Sequence, residues 1–481
     1  MQTRIDKMEE ESLMKKIFDS RTFISICYYG FYLVIGISML IKQPFGNPPD
    51  EYNRFLIPQY IAQNGTLPNG YEEAIRIGGY GFSYAFQPIL PYMFQGYAMR
   101  LVSVFTDSEE ILLYTARSVN LFFGFCTAWI VLRLSGKWFS NRRFGWFFAF
   151  LATFLPQSIF VHTYVNTDSC CMLSIAIMLY GLTLGLENGF SVGSSGILAA
   201  GIILCALSYY NAYGYILSCI LLFTAYFLRK SSDKIQFDIK GFLKKGGFIS
   251  AIVLLGIGWW FIRSAILYDG DFLGLRTRHE CAMLHAIPEF HPDTRVTWKS
   301  QGYSFWDMAT GSDFWTLSIL SFIGVYGPMT ITTSLWVYRF YKALFLMGAL
   351  LSAAIPISKA EGIRGFYQER KVFRLFYHAN MLFCIIMPLL LSLYYSYSTD
   401  YQPQGRYLLP ALLPVCYYTI HGLEKAWNLK FINLKFINKP KRKNQVLTIS
   451  VILLCMIIMG LLMVTVYGYA FPYYEANPIA P

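Results

Sequence analysis

The sequence predicts an all-α, polytopic integral membrane protein with about eleven transmembrane helices, each formed by roughly 20 apolar residues. The 481 residues are 55% hydrophobic, and their mean hydropathy is +0.41. Charged residues make up only 14% of the chain, whereas a soluble domain usually carries about 25%. Apolar runs of spanning length alternate with short polar loops, and in lipid such runs satisfy their backbone hydrogen bonds as helices.

The charges are distributed as in a membrane protein. The net charge is +12, but the basic residues are concentrated in short loops between apolar runs, which is typical of cytoplasmic loops. This distribution requires no nucleic-acid partner. Nearly all of the ten cysteines lie inside apolar runs, so no disulfide framework is predicted. The charged tail 1–21 precedes an apolar run without a small-residue cleavage site, which predicts an uncleaved first span.

The N-terminal half of the chain predicts several spans and one long outer loop. The tail 1–21 is basic and is predicted to stay in the cytoplasm, so the first span, 22–41, leads to an outer loop at 43–110. Within this loop, the apolar, proline-interrupted segment 88–104 is either a span or an interfacial helix, and an interfacial helix agrees better with the later topology. The spans that follow are 111–134, 145–162, 169–186, 197–209 and 213–228.

The C-terminal half continues this alternation. The loop 229–245 is strongly basic and is predicted to lie inside. The span 248–267 leads to a second outer loop, 269–333, whose apolar segment 314–326 ends in Gly-Pro and is predicted to form a helix on the outer surface. The remaining spans are 335–356, 376–393, 408–423 and 446–467, with a basic loop at 425–443 inside and a tail at 471–481 outside. We therefore predict one membrane domain, 22–470, with two elaborated outer loops and no soluble domain.

Two adjacent carboxylates, Asp50 and Glu51, follow the first span directly. Charged groups at such a position are costly unless they face water or a polar site. Pro48 and Pro49 stiffen the chain that leads to the pair. One interpretation is a catalytic or binding role. The alternative is that Asp50 only caps a short helix that begins at Glu51, since Asp is a favoured N-cap residue.

Other ionisable groups gather at the same predicted face. Arg117 lies in the outer third of its span, Arg263 lies near the outer end of its span, and Asp168 lies in a tight Asn-Thr-Asp turn. Arg406 lies in a further outer turn. Ionisable residues in and beside spans are costly, which makes each of them a functional candidate. Alternatively, Asp168 caps the helix that follows it, and Arg406 and Arg263 only extend their charges to lipid headgroups.

Arginines beside an aspartate at a membrane interface suit a phosphate or pyrophosphate carried on a lipid. A guanidinium group binds phosphate oxygens in pairs through a fork of permanently charged donors. A neighbouring carboxylate can remove the proton from an attacking hydroxyl as the phosphate leaves. The group His279-Glu280 with His285 lacks the four-residue histidine spacing of a helical zinc site. No metal site is therefore predicted, and a requirement for a divalent metal stays open.

Three motifs along the chain resemble those of a known superfamily. Pro49-Asp50-Glu51 resembles the acidic first-loop motif of the GT-C glycosyltransferases, which include protein O-mannosyltransferases and the aminoarabinose transferases of lipid A. Pro156 with Asn166-Thr-Asp168, and the run Gln404 to Pro410, resemble the middle and late motifs of uncharacterised bacterial membrane proteins of that superfamily. The resemblance covers 22–470 and rests on the order and placement of the motifs.

The resemblance implies an inverting glycosyltransferase that uses a polyprenyl-phosphate sugar donor among membrane lipids and has its site on the outer face. By position, it implies Asp50 as the general base, Glu51 as a residue that positions a substrate, and Arg406 as the residue that faces the lipid phosphate. The motif residues implied to bind substrate are Arg406, Gln404, Tyr407, Asn166 and Asp168. The residues after the acidic pair, Tyr52 to Arg54, depart from the usual pattern, so the acceptor, a cell-envelope glycan, lipid or protein, stays open.

Two other functions are compatible with a polytopic membrane protein. A transporter or flippase of a lipid-linked saccharide should place ionisable groups near the bilayer midplane, often on broken helices in paired positions of two halves. In this sequence the midplane segments are nearly free of charge, and no internal repeat is evident. A non-enzymatic component of polysaccharide export would make the outer polar residues incidental. The surface placement of the acidic pair favours the transferase.

Overall fold

The computed structural model describes residues 20–231, 234–354, 371–428 and 440–477. The predicted tail 1–21 and the basic loop 425–443 fall largely outside these residues, and the tail 471–481 falls outside them in part. The described chain is helical along most of its length, as the composition predicts. In chain order, the helices are α1 Ser20–Lys42, α2 Glu51–Asn64, α3 Leu90–Val102, α4 Glu109–Trp138, α5 Arg142–Phe154, α6 Pro156–Val161, α7 Asp168–Asn188, α8 Val192–Ala206, α9 Tyr213–Tyr226, α10 Ile239–Leu267, α11 Leu275–His285, α12 Phe305–Gly311, α13 Phe314–Gly324, α14 Leu335–Ala354, α15 Lys371–Ser398, α16 Leu412–Asn428, α17 Pro440–Thr465 and α18 Phe471–Ala476.

Within the described residues, two short antiparallel hairpins are the exceptions to the all-α prediction. β1, Leu228–Ser231, pairs with β2, Lys234–Phe237, in the basic segment for which the sequence predicts only a loop. β3, Val325–Tyr326, pairs with β4, Ile331–Thr332, between α13 and α14. Neither hairpin is large enough to form a layer, so the architecture is that of a helical membrane protein.

Seven of the described helical runs are long and apolar enough to cross a membrane. They are α1, α4, α7, α10, α14, α15 and the run from α17 to α18. Two shorter apolar helices, α8 and α13, accompany them. These runs make the chain a multi-pass membrane protein, but they do not confirm the predicted count of about eleven spans.

The predicted spans outside this group are broken or short. Pro156 divides the apolar run 145–162 into α5 and α6, because proline lacks the N–H group that a continuous helix needs. The runs 197–209 and 213–228 become α8 and α9, of 15 and 14 residues. At 1.5 Å per residue, each is about 20 Å long, which is less than the thickness of a hydrocarbon core.

Both segments that the sequence predicts as surface helices are helical. α3 has 13 residues and α13 has 11, so each is shorter than the hydrocarbon core of about 30 Å. These lengths agree with interfacial helices. The depth of α3 and α13 in a membrane stays a prediction.

The central helix of the bundle is α7. Its side chains are buried along most of its length, and it packs against α4 and α8. Gly181 permits the close contact with α8, since a Cβ atom there would lie 2.6 Å from the backbone nitrogen of Leu198. Because α7 begins at Asp168, its N-terminal end lies among the polar side chains that gather around α2.

Candidate active site

A cavity of about 410 Å³ lies where α2, the turn before α7 and the C-terminal part of α15 meet. Polar side chains from distant parts of the chain contribute to its wall. Among them are Asp50, Arg54, Thr167, Tyr209, Tyr395 and Tyr407. A concave site with a few convergent polar groups is the usual form of a ligand site. Two of the residues predicted from the sequence, Asp50 and Tyr407, therefore line the same cavity.

Asp50 has an uncommon backbone conformation. Its φ of 62° and ψ of 5° lie in the left-handed region, where a residue other than glycine typically costs about 1–3 kcal/mol. It occupies the N-cap position of α2, but its side chain makes no capping hydrogen bond. Instead, its Oδ2 accepts a hydrogen bond from Nη2 of Arg406 at 2.5 Å and lies 3.8 Å from Nη2 of Arg54. The Asp50 side chain is thus directed to two arginines and does not serve as a helix cap.

Gly405 brings Arg406 to this position. A Cβ atom at Gly405 would collide with the backbone nitrogen of Phe322, so only glycine lets this segment approach the end of α13 so closely. The Gly405 amide also donates to Oγ of Ser321 at 2.6 Å. The close approach explains why a glycine precedes the arginine in the Gln-Gly-Arg sequence.

Arg406 itself is buried, with 2% of its side chain exposed. Besides Asp50, it donates to the carbonyl of Pro49 at 3.3 Å and to the hydroxyl of Tyr407 at 3.1 Å. Tyr407 in turn donates to Oε1 of Gln402 at 2.6 Å. A side chain this enclosed does not extend to lipid headgroups, which was the alternative interpretation of Arg406.

Arg54 is a site residue that the sequence did not single out. Its Nη1 donates to Oγ1 of Thr167 at 3.0 Å and to the hydroxyl of Tyr92 at 3.3 Å, and its guanidinium carbon lies 5.0 Å from the ring centre of Tyr84. Only 5% of the Arg54 side chain is exposed. One feature of the sequence could have identified Arg54. It follows Asp50 by four positions, and this spacing places two residues on one face of a helix.

The two arginines control the charge of Asp50. Burial opposes ionisation of this carboxyl, but the charge of Arg406, then that of Arg54, and the hydrogen bond from Arg406 together hold its pKa below the usual value of 3.8. One third of the Asp50 side chain, 33%, is exposed. The cavity therefore contains an ionised and oriented carboxylate.

Asn166 and Asp168 flank Thr167 of the cavity wall. Oδ1 of Asn166 accepts from the amide of Ser169 at 2.9 Å, and its Nδ2 donates to two backbone carbonyls. Asn166 thus performs the capping role that was the alternative for Asp168. Asp168 is 5% exposed, and its Oδ2 has no hydrogen-bond partner among the described residues.

Glu51 and Arg117 form an ion pair that does not line the cavity. Both side chains are 0% exposed, and two hydrogen bonds of 2.8 and 2.6 Å join them. Arg117 also donates to three backbone carbonyls at and just after the end of α1, so all five of its N–H donors are used. Glu51 accepts from two backbone amides as well. Direct contact of either residue with a substrate stays a prediction, and this closed set of partners does not favour it.

Arg263 and Gln404 also lie outside the cavity wall. Nη2 of Arg263 donates to the carbonyl of Pro68 at 2.7 Å, and its guanidinium carbon lies 5.2 Å from the ring centre of Trp260. The backbone carbonyl of Gln404 accepts from the amide of Tyr407 at 3.1 Å. Their contacts shape neighbouring loops, and a role of either side chain in donor binding stays a prediction.

Among the residues that the structure describes, no group of three or more His, Cys, Asp or Glu side chains is placed to hold a metal ion. Arg54 and Arg406 provide the positive charge beside the carboxylates of Asp50 and Asp168. Guanidinium groups in such a position can bind an anionic ligand through charge-assisted hydrogen bonds. A requirement for a divalent metal stays open.

No protein-family model matches the chain, and no curated protein is similar to it in sequence. Solved structures are similar to it in fold. The oligosaccharyltransferase of Archaeoglobus fulgidus, solved with a tethered acceptor peptide, matches 92% of this chain and 55% of its own, with a TM-score of 0.52 and 14% identity. The arabinofuranosyltransferase AftD from Mycobacteria matches 92% of this chain and 27% of its own, with a TM-score of 0.47 and 10% identity. Another Archaeoglobus fulgidus structure, AglB with an inhibitory peptide and a dolichol-phosphate, matches 90% and 55%, with a TM-score of 0.46 and 13% identity.

These neighbours are membrane glycosyltransferases of the GT-C superfamily. The first match shows that this chain has the GT-C fold, which confirms the resemblance inferred from the motifs. At 14% identity the likeness shows the fold alone, and the two matches with TM-scores of 0.47 and 0.46 add no argument. The chain spans about half the length of the oligosaccharyltransferase, 55% of it.

Proposed function

We propose that the chain is an inverting glycosyltransferase that moves a sugar from a polyprenyl-phosphate donor to a cell-envelope glycan, lipid or protein acceptor at the outer face of the membrane. The position of Asp50 carries this proposal. An ionised carboxylate in a strained backbone conformation lies in the wall of a cavity of about 410 Å³, paired with two arginines. Strained residues other than glycine cluster at functional sites, and the GT-C fold is compatible with sugar transfer.

The proposed reaction is a single displacement at the anomeric carbon of the donor sugar. The acceptor hydroxyl gives its proton to the carboxylate of Asp50 while its oxygen forms a bond to the anomeric carbon. The bond between that carbon and the phosphate oxygen breaks, and its electron pair stays on the phosphate. Attack from the side opposite the phosphate inverts the anomeric carbon. The products are the glycosylated acceptor and polyprenyl phosphate, and the charge gained by the phosphate balances the proton taken up by Asp50.

Arg54 is the arginine best placed to stabilise the departing phosphate. It lines the cavity, and its Nη2 has no hydrogen bond among the described residues, only the 3.8 Å ion pair with Asp50, so this nitrogen can donate to a phosphate oxygen. Arg406 contacts Asp50 directly and orients its carboxylate.

An anionic donor also changes the strength of the base. When a phosphate group lies close to the two arginines, its negative charge offsets part of the positive charge that lowers the pKa of Asp50. The carboxylate then becomes a stronger base. Donor binding therefore prepares Asp50 to accept the proton of the acceptor hydroxyl.

Product analysis tests the proposal. The full chain is reconstituted in liposomes with a set of polyprenyl phosphates that each carry one radiolabelled hexose or pentose, together with envelope extract from cells that lack the chain. We expect label to pass from one of these lipids to the extract, with release of polyprenyl phosphate and inversion at the anomeric carbon. Label that stays on the lipid and only changes leaflet would support the transporter and overturn the transferase.

A further inference from the structure

The cavity that contains Asp50, here called the catalytic cavity, shares part of its wall with a second chamber of about 360 Å³. The side chains that line both include Tyr80, Phe82, Leu275, Arg278, Arg295 and Tyr395. Helix α11 and the loop after it form much of the wall of the second chamber. Arg278 of α11 lines the same cavity as Asp50, so a saccharide whose hydroxyl lies at Asp50 has Arg278 in the wall around it, on the side of the second chamber.

The side chains that line both chambers form the boundary between them, and at this boundary one positive charge has no negative partner in the described part of the chain. Among the residues that the structure describes, five charged side chains line the catalytic cavity: Asp50, Arg54, Arg278, Arg295 and Asp400. Asp50 pairs with Arg406 and with Arg54, and Arg295 pairs with Asp400. The guanidinium of Arg278 has no hydrogen bond or ion pair with any residue that the structure describes, although Arg278 is partly buried. The boundary thus holds one unpaired positive charge.

Aromatic rings set the geometry of this boundary. The guanidinium carbon of Arg278 lies 4.1 Å from the ring centre of Phe82, so the cation is attracted to the face of the ring. Tyr80 stacks on Phe290, with ring centres 4.4 Å apart and planes at 15°. A contact between a cation and a ring face uses none of the guanidinium donors for an oxygen atom, so the N–H donors of Arg278 stay available for an anionic group.

We propose that Arg278 binds an anionic group, a carboxylate or a phosphate, of an acceptor saccharide that extends into the second chamber. A guanidinium donates paired, charge-assisted hydrogen bonds to either group. A neutral saccharide would cover this cation without compensating its charge, whereas an acidic one balances it. The assignment of this saccharide as the acceptor rests on the proposed function, because it places the attacking hydroxyl at Asp50.

Binding measurements without turnover test the assignment. The full chain in lipid nanodiscs is titrated by calorimetry with three disaccharides that differ only in one terminal residue: glucose, glucuronic acid or glucose 6-phosphate. A fourth probe, geranyl phosphate, supplies the phosphate of a lipid donor. Arg278→Gln is compared with Arg276→Gln as a matched control. Arg276 lies two positions away, is 57% exposed and contacts Glu280 outside both chambers.

We expect one of the acidic disaccharides to bind about 10-fold or more tightly than the neutral one, as paired charge-assisted hydrogen bonds predict. The preferred acid identifies the group as carboxylate or phosphate. Arg278→Gln should abolish the preference, and Arg276→Gln should keep it.

Three results would overturn the assignment: equal binding of the three disaccharides, no binding of any of them, or an effect of Arg278→Gln that is confined to geranyl phosphate. The last result would place a lipid phosphate at Arg278. Because these titrations do not depend on transfer, a preference that survives in a chain without transferase activity would reject only the proposed function. A lost preference in an active transferase would reject only the role of Arg278.

Discussion

The carboxylate of Asp50 and the guanidinium of Arg406 are 356 positions apart in the chain and 2.5 Å apart in the structure. Asp50 belongs to the first loop after α1, and Arg406 belongs to the turn after α15. Their contact therefore joins an N-terminal and a C-terminal segment of the chain at the wall of one cavity. Because the arginine is buried and the carboxylate is partly exposed, the pair presents an oriented base to a ligand.

Glu51→Gln should destabilise the protein and should not remove a catalytic group. The substitution leaves Arg117 buried without its counter-charge, and breaking a buried ion pair from one side costs about 3–5 kcal/mol. We expect a lower unfolding temperature of the purified protein in detergent. The kcat of the protein that remains folded should change little.

A double variant provides the control for this prediction. Glu51→Gln with Arg117→Met removes both charges and should recover part of the lost stability, because no uncompensated charge is left in the interior. A Glu51→Gln protein that unfolds at the normal temperature but no longer transfers sugar would return Glu51 to the chemistry that the resemblance implies.

The sequence indicates Asp50 and Arg406 separately but cannot show that they pair. Motif order and loop charge reveal which segments carry ionisable groups, whereas a contact across 356 positions depends on how the whole bundle packs. The same limit applies to Glu51 and Arg117. The sequence shows that one follows the first span and that the other lies within a later span, but only the packing of α4 against α1 shows that they form an ion pair. Arg54 did have a local signal, its helical spacing from Asp50.

The helical class follows from composition, because lipid permits few other arrangements of the backbone. The number of spans does not follow in the same way. Hydropathy measures how apolar a run is, not whether its hydrogen bonds are continuous, and Pro156 interrupts a run that is apolar enough to span. The resemblance to GT-C proteins rests on the order of the motifs, and a break within a helix does not change that order.

Lysine substitutions at the two arginines should separate donor binding from the orientation of Asp50. Lysine keeps the charge but lacks the fork of donors. Arg54→Lys should raise the donor KM roughly 10-fold, because a phosphate loses paired hydrogen bonds. Arg406→Lys should mainly lower kcat, because the carboxylate of Asp50 is held less firmly. Steady-state kinetics with one polyprenyl-phosphate sugar measure both constants.

Arg100→Lys is the matched control for these two variants, since Arg100 donates to backbone carbonyls outside the cavity. It should leave both constants near normal. A raised donor KM in Arg406→Lys alone would assign the lipid phosphate to Arg406, as the motif implies. Normal kinetics in both Arg54→Lys and Arg406→Lys would contradict a role for either arginine.

The pKa of Asp50 should determine the acid limb of kcat/KM. Because the arginines hold this pKa below 3.8 against the effect of burial, the native protein should lose activity only at pH values below that. Arg406→Gln removes the larger of the two lowering charges while burial still favours the neutral acid. The pKa then rises, and the acid limb of the residual activity should move to higher pH. An acid limb that stays in place would show that another group controls it.

Accessibility of single cysteines tests the predicted orientation. Tyr71 and Val296, which are 48% and 70% exposed, lie in the two predicted outer loops, and Lys240 lies in the predicted inner segment. In intact cells, a membrane-impermeant thiol reagent should modify Tyr71→Cys and Val296→Cys but not Lys240→Cys. Modification of Lys240→Cys would place the cavity on the cytoplasmic face and would contradict sugar transfer at the outer face.

The central claim is that Asp50 accepts the proton of the acceptor hydroxyl. Asp50→Asn tests it most directly, because asparagine keeps the size, tolerates the left-handed conformation and still accepts a hydrogen bond from Arg406, but cannot act as the base. Asp293→Asn is the matched control, since Asp293 is exposed and lies outside both chambers.

The decisive measurement is the rate of transfer of labelled sugar from polyprenyl phosphate by Asp50→Asn. General-base catalysis contributes about 10²–10⁴-fold, so the rate should fall by that factor. Donor affinity should not fall below that of Asp293→Asn, and the unfolding temperature should fall somewhat, because buried Arg406 loses its counter-charge. Near-normal transfer by Asp50→Asn, at matched amounts of protein, would contradict the claim and would move the assignment of the base to Glu51 or Asp168.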